Sequence, residues 1–271
     1  MSSKGTASPN PKPQRPAKSS LPAPDVRGFR KRLRAFLEEK DDRGRKWSNA
    51  KWGVYAFYDY DGEPIYVGQT NEKLRTRIRR HLTNQRSDAV AMRILDVFEV
   101  ADAEMWPLWD LENVSAKDKE AKKNLDAHEY TAYLNAIEQS RFKAILNEKI
   151  PPVSDTVVMP PSLRWSLIDD EVREERQHPD IRIARRAETI SRLAAVSRER
   201  GEVSEGLRRV LVVQAVRLAF IAAERLAHAE GRPAPDPTAI SIERLVGSVL
   251  YEFTDPYGEY TPDRDDDTLD D

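Results

Sequence analysis

Apolar and polar positions along the chain fall into several regimes. Residues 1–24 show no apolar periodicity and hold six of the eighteen prolines beside Ser, Lys and Arg. Such a segment cannot offset its own ordering entropy and is expected to be a disordered basic arm. From Asp25, apolar Phe29, Leu33, Phe36 and Leu37 recur at helical spacing. Arg27, Arg30, Lys31, Arg32 and Arg34 fill the other faces, which predicts a basic helix and linker over 25–50. A solvated helix face and a DNA contact both fit that pattern.

Residues 52–58 are aromatic and β-branched, Asp61-Gly62 is a hairpin signal, and Pro64-Ile65-Tyr66-Val67 follows directly. Together they spell two antiparallel strands. Residues 72–84 turn helical, with Leu74, Ile78 and Leu82 four apart. A third strand is predicted at 94–100, and a long helix from Asp118 to Lys149 is ended by Pro151-Pro152. This describes a small unit over 51–152 with a three-stranded antiparallel sheet and flanking helices. Past a Pro-rich hinge at 151–161 the chain reads as helix down to Phe253. Residues 207–227 are apolar almost all round, as in the centre of a bundle. Ser241 is placed to cap a last helix striped by Ile242, Leu245, Val246, Val249, Leu250 and Phe253. The expected class is therefore α+β, with an all-α region at 153–254 and an acidic disordered tail at 255–271.

Charge changes that picture. The net charge of -2 conceals 44 Lys and Arg against 46 Asp and Glu. Basic residues exceed acidic ones by 11 over residues 1–93 and fall 13 short over 94–271. A basic front points to an anionic partner, most often nucleic acid. With no cysteine, the sequence excludes a disulfide scaffold, a thiol nucleophile and a Cys-based zinc site. No apolar run reaches the ~18 residues of a membrane helix, and the N-terminus lacks a signal-peptide core. A soluble protein of the bacterial cytoplasm, without membrane contact, is expected.

Candidate chemistry gathers around the hairpin. Tyr55 and Tyr66 lie on neighbouring strands and place two phenols near one another. A free tyrosine titrates at about 10, so it needs cationic neighbours or a proton acceptor to serve as a base. Arg77 and His81, four apart, share one face of the next helix and supply both. Lys73, Arg75, Arg79, Arg80 and Arg86 crowd the same segment and suit generic phosphate contacts. On the later helix, Glu138 has Leu134 four residues before it, Phe142 four after and Ile145 seven after. That places a carboxylate on an apolar stripe, where a cation would neutralise it. Hard Mg²⁺ is the natural choice, with Mn²⁺ an alternative. Glu129 and His128 are the rival carboxylate and imidazole, on a more polar part of the helix.

Gly53-Val54-Tyr55, Tyr66-Val67-Gly68 ten residues on, and the helix bearing Arg77 resemble the GIY-YIG nuclease superfamily, over residues 52 to about 150. The Arg77/His81 pair most resembles its type II restriction endonuclease branch. The resemblance implies a metal-dependent DNA endonuclease in which Tyr55 takes the water proton, helped by His81 or Tyr66. Arg77 would stabilise the charge growing on the phosphate, and Glu138 would hold the metal. It also implies double-stranded DNA as substrate, a homodimer or higher oligomer, and a cognate DNA methyltransferase as partner. The sequence departs from the family in one place. An asparagine usually lies about a dozen or more residues beyond the glutamate, whereas Asn147 is nine beyond Glu138. Two other readings stand beside this one: a homing, mobile-element or repair nuclease acting on branched or damaged DNA, and a catalytically inactive DNA-binding protein.

Overall fold

The computed structural model describes residues 22–83, 95–201 and 203–252. The expected basic arm through residue 21, Arg86 and Ile94, and the expected acidic tail lie outside the described residues.

The expected hairpin forms β1 (Gly53–Tyr58) and β2 (Pro64–Thr70), with Gly62 in the turn at φ 73°. That left-handed backbone favours glycine because an L side chain clashes there. β1 pairs antiparallel with β2 on one side and with β3 (Asp102–Pro107) on the other. β4 (Leu163–Ser166) extends the sheet from β3, giving the order β2-β1-β3-β4. Every residue of the central strand β1 is buried.

The α+β class holds, with two corrections to the strands. The segment expected to be a third strand contains a 3₁₀ turn, Val97–Glu99, whose Phe98 N–H is captured by the Asp96 carboxylate at 3.0 Å. This side-chain cap competes with extension, and pairing starts only at Asp102. Burial along β3 then alternates strictly. The fourth strand comes from beyond the Pro-rich segment, where only helix was expected. Its four residues are too few for periodicity to reveal.

α1 (Pro24–Glu38) buries Phe29, Leu33, Phe36 and Leu37, the stripe read from the sequence. α2 (Leu74–Thr83) buries Leu74, Ile78 and Leu82. α3 (Lys119–Gln139) starts at Asp118, whose carboxylate accepts the Ala121 N–H at 2.8 Å. It stops ten residues short of the expected end at Lys149. Glu63 at the foot of β2 accepts from both the Ser140 hydroxyl and the Arg141 N–H, and Lys143 turns to φ 51°. The chain then runs beside β2, with Leu146 N–H donating to Ile65 O at 2.8 Å. A long-range carboxylate has overridden local helix propensity.

After the extended segment to residue 162 and β4, the chain is mainly helical: α4 (Asp170–Arg176), α5 (Pro179–Arg200), α6 (Glu205–Ala229) and α7 (Ile242–Val246). The last helix ends inside the expected apolar stripe because Gly247 takes φ 77° and breaks it, and Phe253 lies outside the described residues. α5 and α6 dock on the hairpin turn through buried charge. Asp59 accepts from Arg182 (2.8 Å), Arg186 (3.0 Å) and Arg217 (2.9 Å).

Candidate active site

Residues directly opposed in an antiparallel pair point to the same face. Tyr55 faces Gly68 and Phe57 faces Tyr66 across β1 and β2, so all four share one face of the sheet. α2 brings His81 over it. The His81 ring lies 5.6 Å from Tyr55, 5.5 Å from Tyr66 and 6.3 Å from Phe57, measured between centroids.

The two motif glycines have a steric basis here. A Cβ on Gly68 would fall 2.5 Å from Tyr55 Oη and 2.7 Å from its Cζ. One on Gly53 would fall 2.7 Å from Leu74 Cδ1 and 2.8 Å from the Trp106 carbonyl oxygen. Gly68 therefore lets the Tyr55 ring lie across β2, and Gly53 lets α2 approach the sheet.

Buried polar atoms normally find partners, and exceptions call for an explanation. Here Tyr55 Oη, Arg77 Nε and both ring nitrogens of His81 are buried without a hydrogen bond. All four belong to one cluster, in which Arg77 acts on the Tyr55 phenol. Burial pushes the Tyr55 phenol well above its ordinary range, with Tyr66 adding to the effect and Arg77 opposing it. Tyr66 is raised to about 12, by burial first and Glu129 second. His81 is lowered to about 3 by burial and by the charges of Arg77 and Arg80, so its imidazole is neutral at pH 7. Burial works against the charge of Arg77, but its pKa is raised on balance and the guanidinium stays protonated.

The acidic member of the cluster is Glu129, not Glu138. Glu138 is exposed to solvent. The apolar stripe read around it presumed a helix through Ile145, and the helix ends at Gln139. Phe142 and Ile145 therefore lie off the face inferred for them. Glu129 is half-buried, and its charge acts on both tyrosines. Its pKa is raised to about 8 by burial and by Asp126, while Arg77 and the Gln69 backbone N–H draw it down. Polar neighbours along α3 concealed this position, because the sheet rather than α3 itself surrounds the carboxylate.

Asn147 also finds its place. Its side chain accepts from Val67 N–H at 3.0 Å and donates to Val67 O at 2.8 Å, pairing with the strand between Tyr66 and Gly68. It positions β2 instead of facing the reacting groups. Counted from Glu129 it lies eighteen residues on, so the spacing departure noted from Glu138 disappears.

Of the five cations assigned to phosphate contact, Arg86 lies outside the described residues, and Lys73 and Arg79 are exposed with no ion-pair partner among the described residues. Arg75 is held by Glu38 at 2.7 Å and by Asn49 at 3.1 Å, and Arg80 by Glu72 at 2.8 Å. Among the described residues no three His, Cys, Asp or Glu side chains converge as a metal site, and no helix is long and apolar enough to cross a membrane.

Residues 51–113 match the family model of the GIY-YIG catalytic domain. That span contains Tyr55, Tyr66, Arg77 and His81, while Glu129 lies beyond it. Neither the curated proteins nor the solved structures compared with the chain gave a match. The match indicates a catalytic domain of the GIY-YIG nuclease type over residues 51–113 of the chain.

Proposed function

We propose that the protein is a metal-dependent type II restriction endonuclease that hydrolyses double-stranded DNA at a specific short sequence. The observation carrying this reading is the cluster of Tyr55, Arg77 and His81 around unpartnered buried polar atoms, with Glu129 coupled to the same charges. The Arg77/His81 pair favours the restriction branch, in which a cognate methyltransferase protects the host sequence. Because one such site cuts one strand, a homodimer matches a symmetric target.

Hydrolysis needs a deprotonated water and a sink for the charge developing on the phosphate. Arg77, fixed as a cation, supplies that sink and binds the scissile phosphate. Tyr55 accepts the water proton while its own passes to the neutral imidazole of His81. A phosphate placed against Arg77 offsets one of the two cations that hold His81 so low, which makes the imidazole a better acceptor on substrate binding. The hydroxide forms the new P–O bond, the bond to the leaving oxygen breaks, and that oxygen takes a proton from solvent. Tyr66 orients the phenol of Tyr55 and the ring of His81.

The donor set fits a hard divalent cation. Glu129 is a half-buried carboxylate short of neutralising charge, and Asp126 lies one turn away on α3. Mg²⁺ binds through one or two carboxylates together with substrate phosphate and water, so the absence of a three-residue cluster is compatible with it. Glu129 would hold Mg²⁺, or Mn²⁺ in its place. When bound, the ion neutralises charge on the leaving oxygen.

Incubation of the purified protein with plasmid and Mg²⁺, followed by sequencing of the ends, tests the proposal. Discrete double-strand breaks at one short sequence are expected, with none in EDTA. Cleavage confined to flaps or lesions would replace the restriction reading with a repair one.

A further inference from the structure

α1 lies outside the matched catalytic domain, and its surface is one-sided in charge. Arg27, Arg30, Lys31 and Arg34 stand at i, i+3, i+4 and i+7, which aligns them along a single stripe. The apolar stripe Phe29, Leu33, Phe36 and Leu37 is buried on the opposite side, so the helix cannot roll its cations inward. Both acids within α1 are neutralised by other elements. Asp25 is bound by Arg176 at 2.8 Å. Glu38 is bound by Lys46 and by Arg75, the latter at 2.7 Å. Arg30, Lys31 and Arg34 are exposed, with no ion-pair partner among the described residues.

The Glu38–Arg75 pair also fixes where this stripe points. It ties the end of α1 to the first turn of α2, two residues before Arg77. Arg79, exposed and with no ion-pair partner among the described residues, lies one turn beyond Arg75 and hence on the face of α2 turned toward α1. The positive surface runs without an interposed unpaired acid on either helix from α1 to the helix carrying Arg77. From Arg27 to Arg34 it covers about 10 Å of helix, while each DNA strand presents a phosphate about every 3.4 Å of duplex axis.

We infer that α1 is a second DNA-binding element, whose Arg30, Lys31 and Arg34 neutralise backbone phosphates of the duplex beside the scissile bond. The occupant is double-stranded DNA because the exposed charges of α1 without a partner among the described residues are all cationic and the surface is continuous with the helix carrying Arg77. The inference rests on the nuclease reading of the site. It assigns these three residues to backbone positioning and not to base recognition.

The test is duplex binding in EDTA over a salt series, for wild type and for the triple variant R30Q/K31Q/R34Q. The slope of log K against log salt should fall in magnitude by roughly 2 to 3, whatever the duplex sequence. Affinity near 0.15 M salt should fall on the order of 10²-fold, from that slope change extrapolated to 1 M. The DNA concentration giving half-maximal single-turnover cleavage should rise in parallel. R30K/R34K should keep the wild-type slope, and its loss with unchanged melting would mean that the contacts are not simple phosphate neutralisation. A triple variant with the wild-type slope would overturn the role of α1 while leaving the nuclease intact. Wild type that neither binds nor cuts duplex DNA would instead overturn the nuclease reading.

Discussion

Tyr55 and Asp59 are four residues apart on one stretch of chain, and their surroundings are opposite in design. Both are almost completely buried. Asp59 is surrounded by three arginines from α5 and α6, which hold its pKa below the ordinary carboxylate value against the burial that would raise it. Tyr55 has no hydrogen-bond partner, and neither do the His81 nitrogens beside it. At Asp59 the buried carboxylate is paired with three guanidiniums, although Arg182 Nε, Arg217 Nη1 and Glu99 Oε1 around it also lack a hydrogen bond, and the region fixes the helices on the hairpin. At Tyr55 the pairing is left incomplete, and a substrate can supply it. A buried polar atom without a partner costs about 1–3 kcal/mol, so such a cluster persists where the rest of the fold outweighs it.

The sharpest way to break this contrast is to remove Asp59. Asp59→Asn leaves Arg182, Arg186 and Arg217 without their shared counter-charge, and breaking a buried pair costs about 3–5 kcal/mol. Urea unfolding should show a loss of that order, a large fraction of a typical domain's stability. Unchanged stability would mean that Glu63 and Glu99 suffice to hold the arginines. Arg77→Ala should act in the opposite sense. Removing one preorganised cation is expected to slow single-turnover cleavage about 10²–10³-fold, with a change in unfolding midpoint much smaller than that of Asp59→Asn.

A subtler separation comes from Glu129, whose folded-state pKa is raised to about 8 from the usual 4.5. A carboxyl raised on folding contributes stability fully below its unfolded pKa and loses it as pH climbs through the folded one. Metal-free protein should therefore lose stability between about pH 4.5 and 8 through this group. Glu129→Gln should melt higher than wild type near pH 8.5 and equally near pH 4.5, while losing Mg²⁺-dependent cleavage. In wild type, cleavage should rise toward pH 8 as the carboxylate ionises, with a midpoint that moves down as Mg²⁺ is raised. A Glu129→Gln variant that cuts at the wild-type rate would remove this residue from the site. Glu138→Gln should leave both melting and cleavage unchanged, because its carboxylate lies in solvent.

What was legible in the sequence is what local spacing controls. Residues of a hairpin and the helix after it sit within one or two turns of one another, so strand alternation and the i, i+4 relation suffice to bring Tyr55, Tyr66, Arg77 and His81 together. α1 was legible for the same reason, since its apolar and cationic residues are separated by helical geometry alone. The 3₁₀ turn at Val97–Glu99 was hidden because one aspartate side chain decides it, and β4 because four residues carry no period.

The carboxylate of the site was decided elsewhere. Around Glu138 the chain has the pattern of a buried helical position, yet α3 is stopped at Gln139 by Glu63, a residue more than seventy positions earlier. Glu129 looks like a surface residue among polar neighbours and is half-buried, with Arg77 and the Gln69 backbone of β2 acting on its carboxylate. Asn147 likewise meets Val67 only across the fold. By itself the sequence determined that Tyr55, Tyr66 and His81 come together on the hairpin and α2, because their placement follows from backbone periodicity. Tertiary structure alone decided that Glu129 and not Glu138 is withdrawn from solvent, because burial depends on what distant elements pack around a side chain.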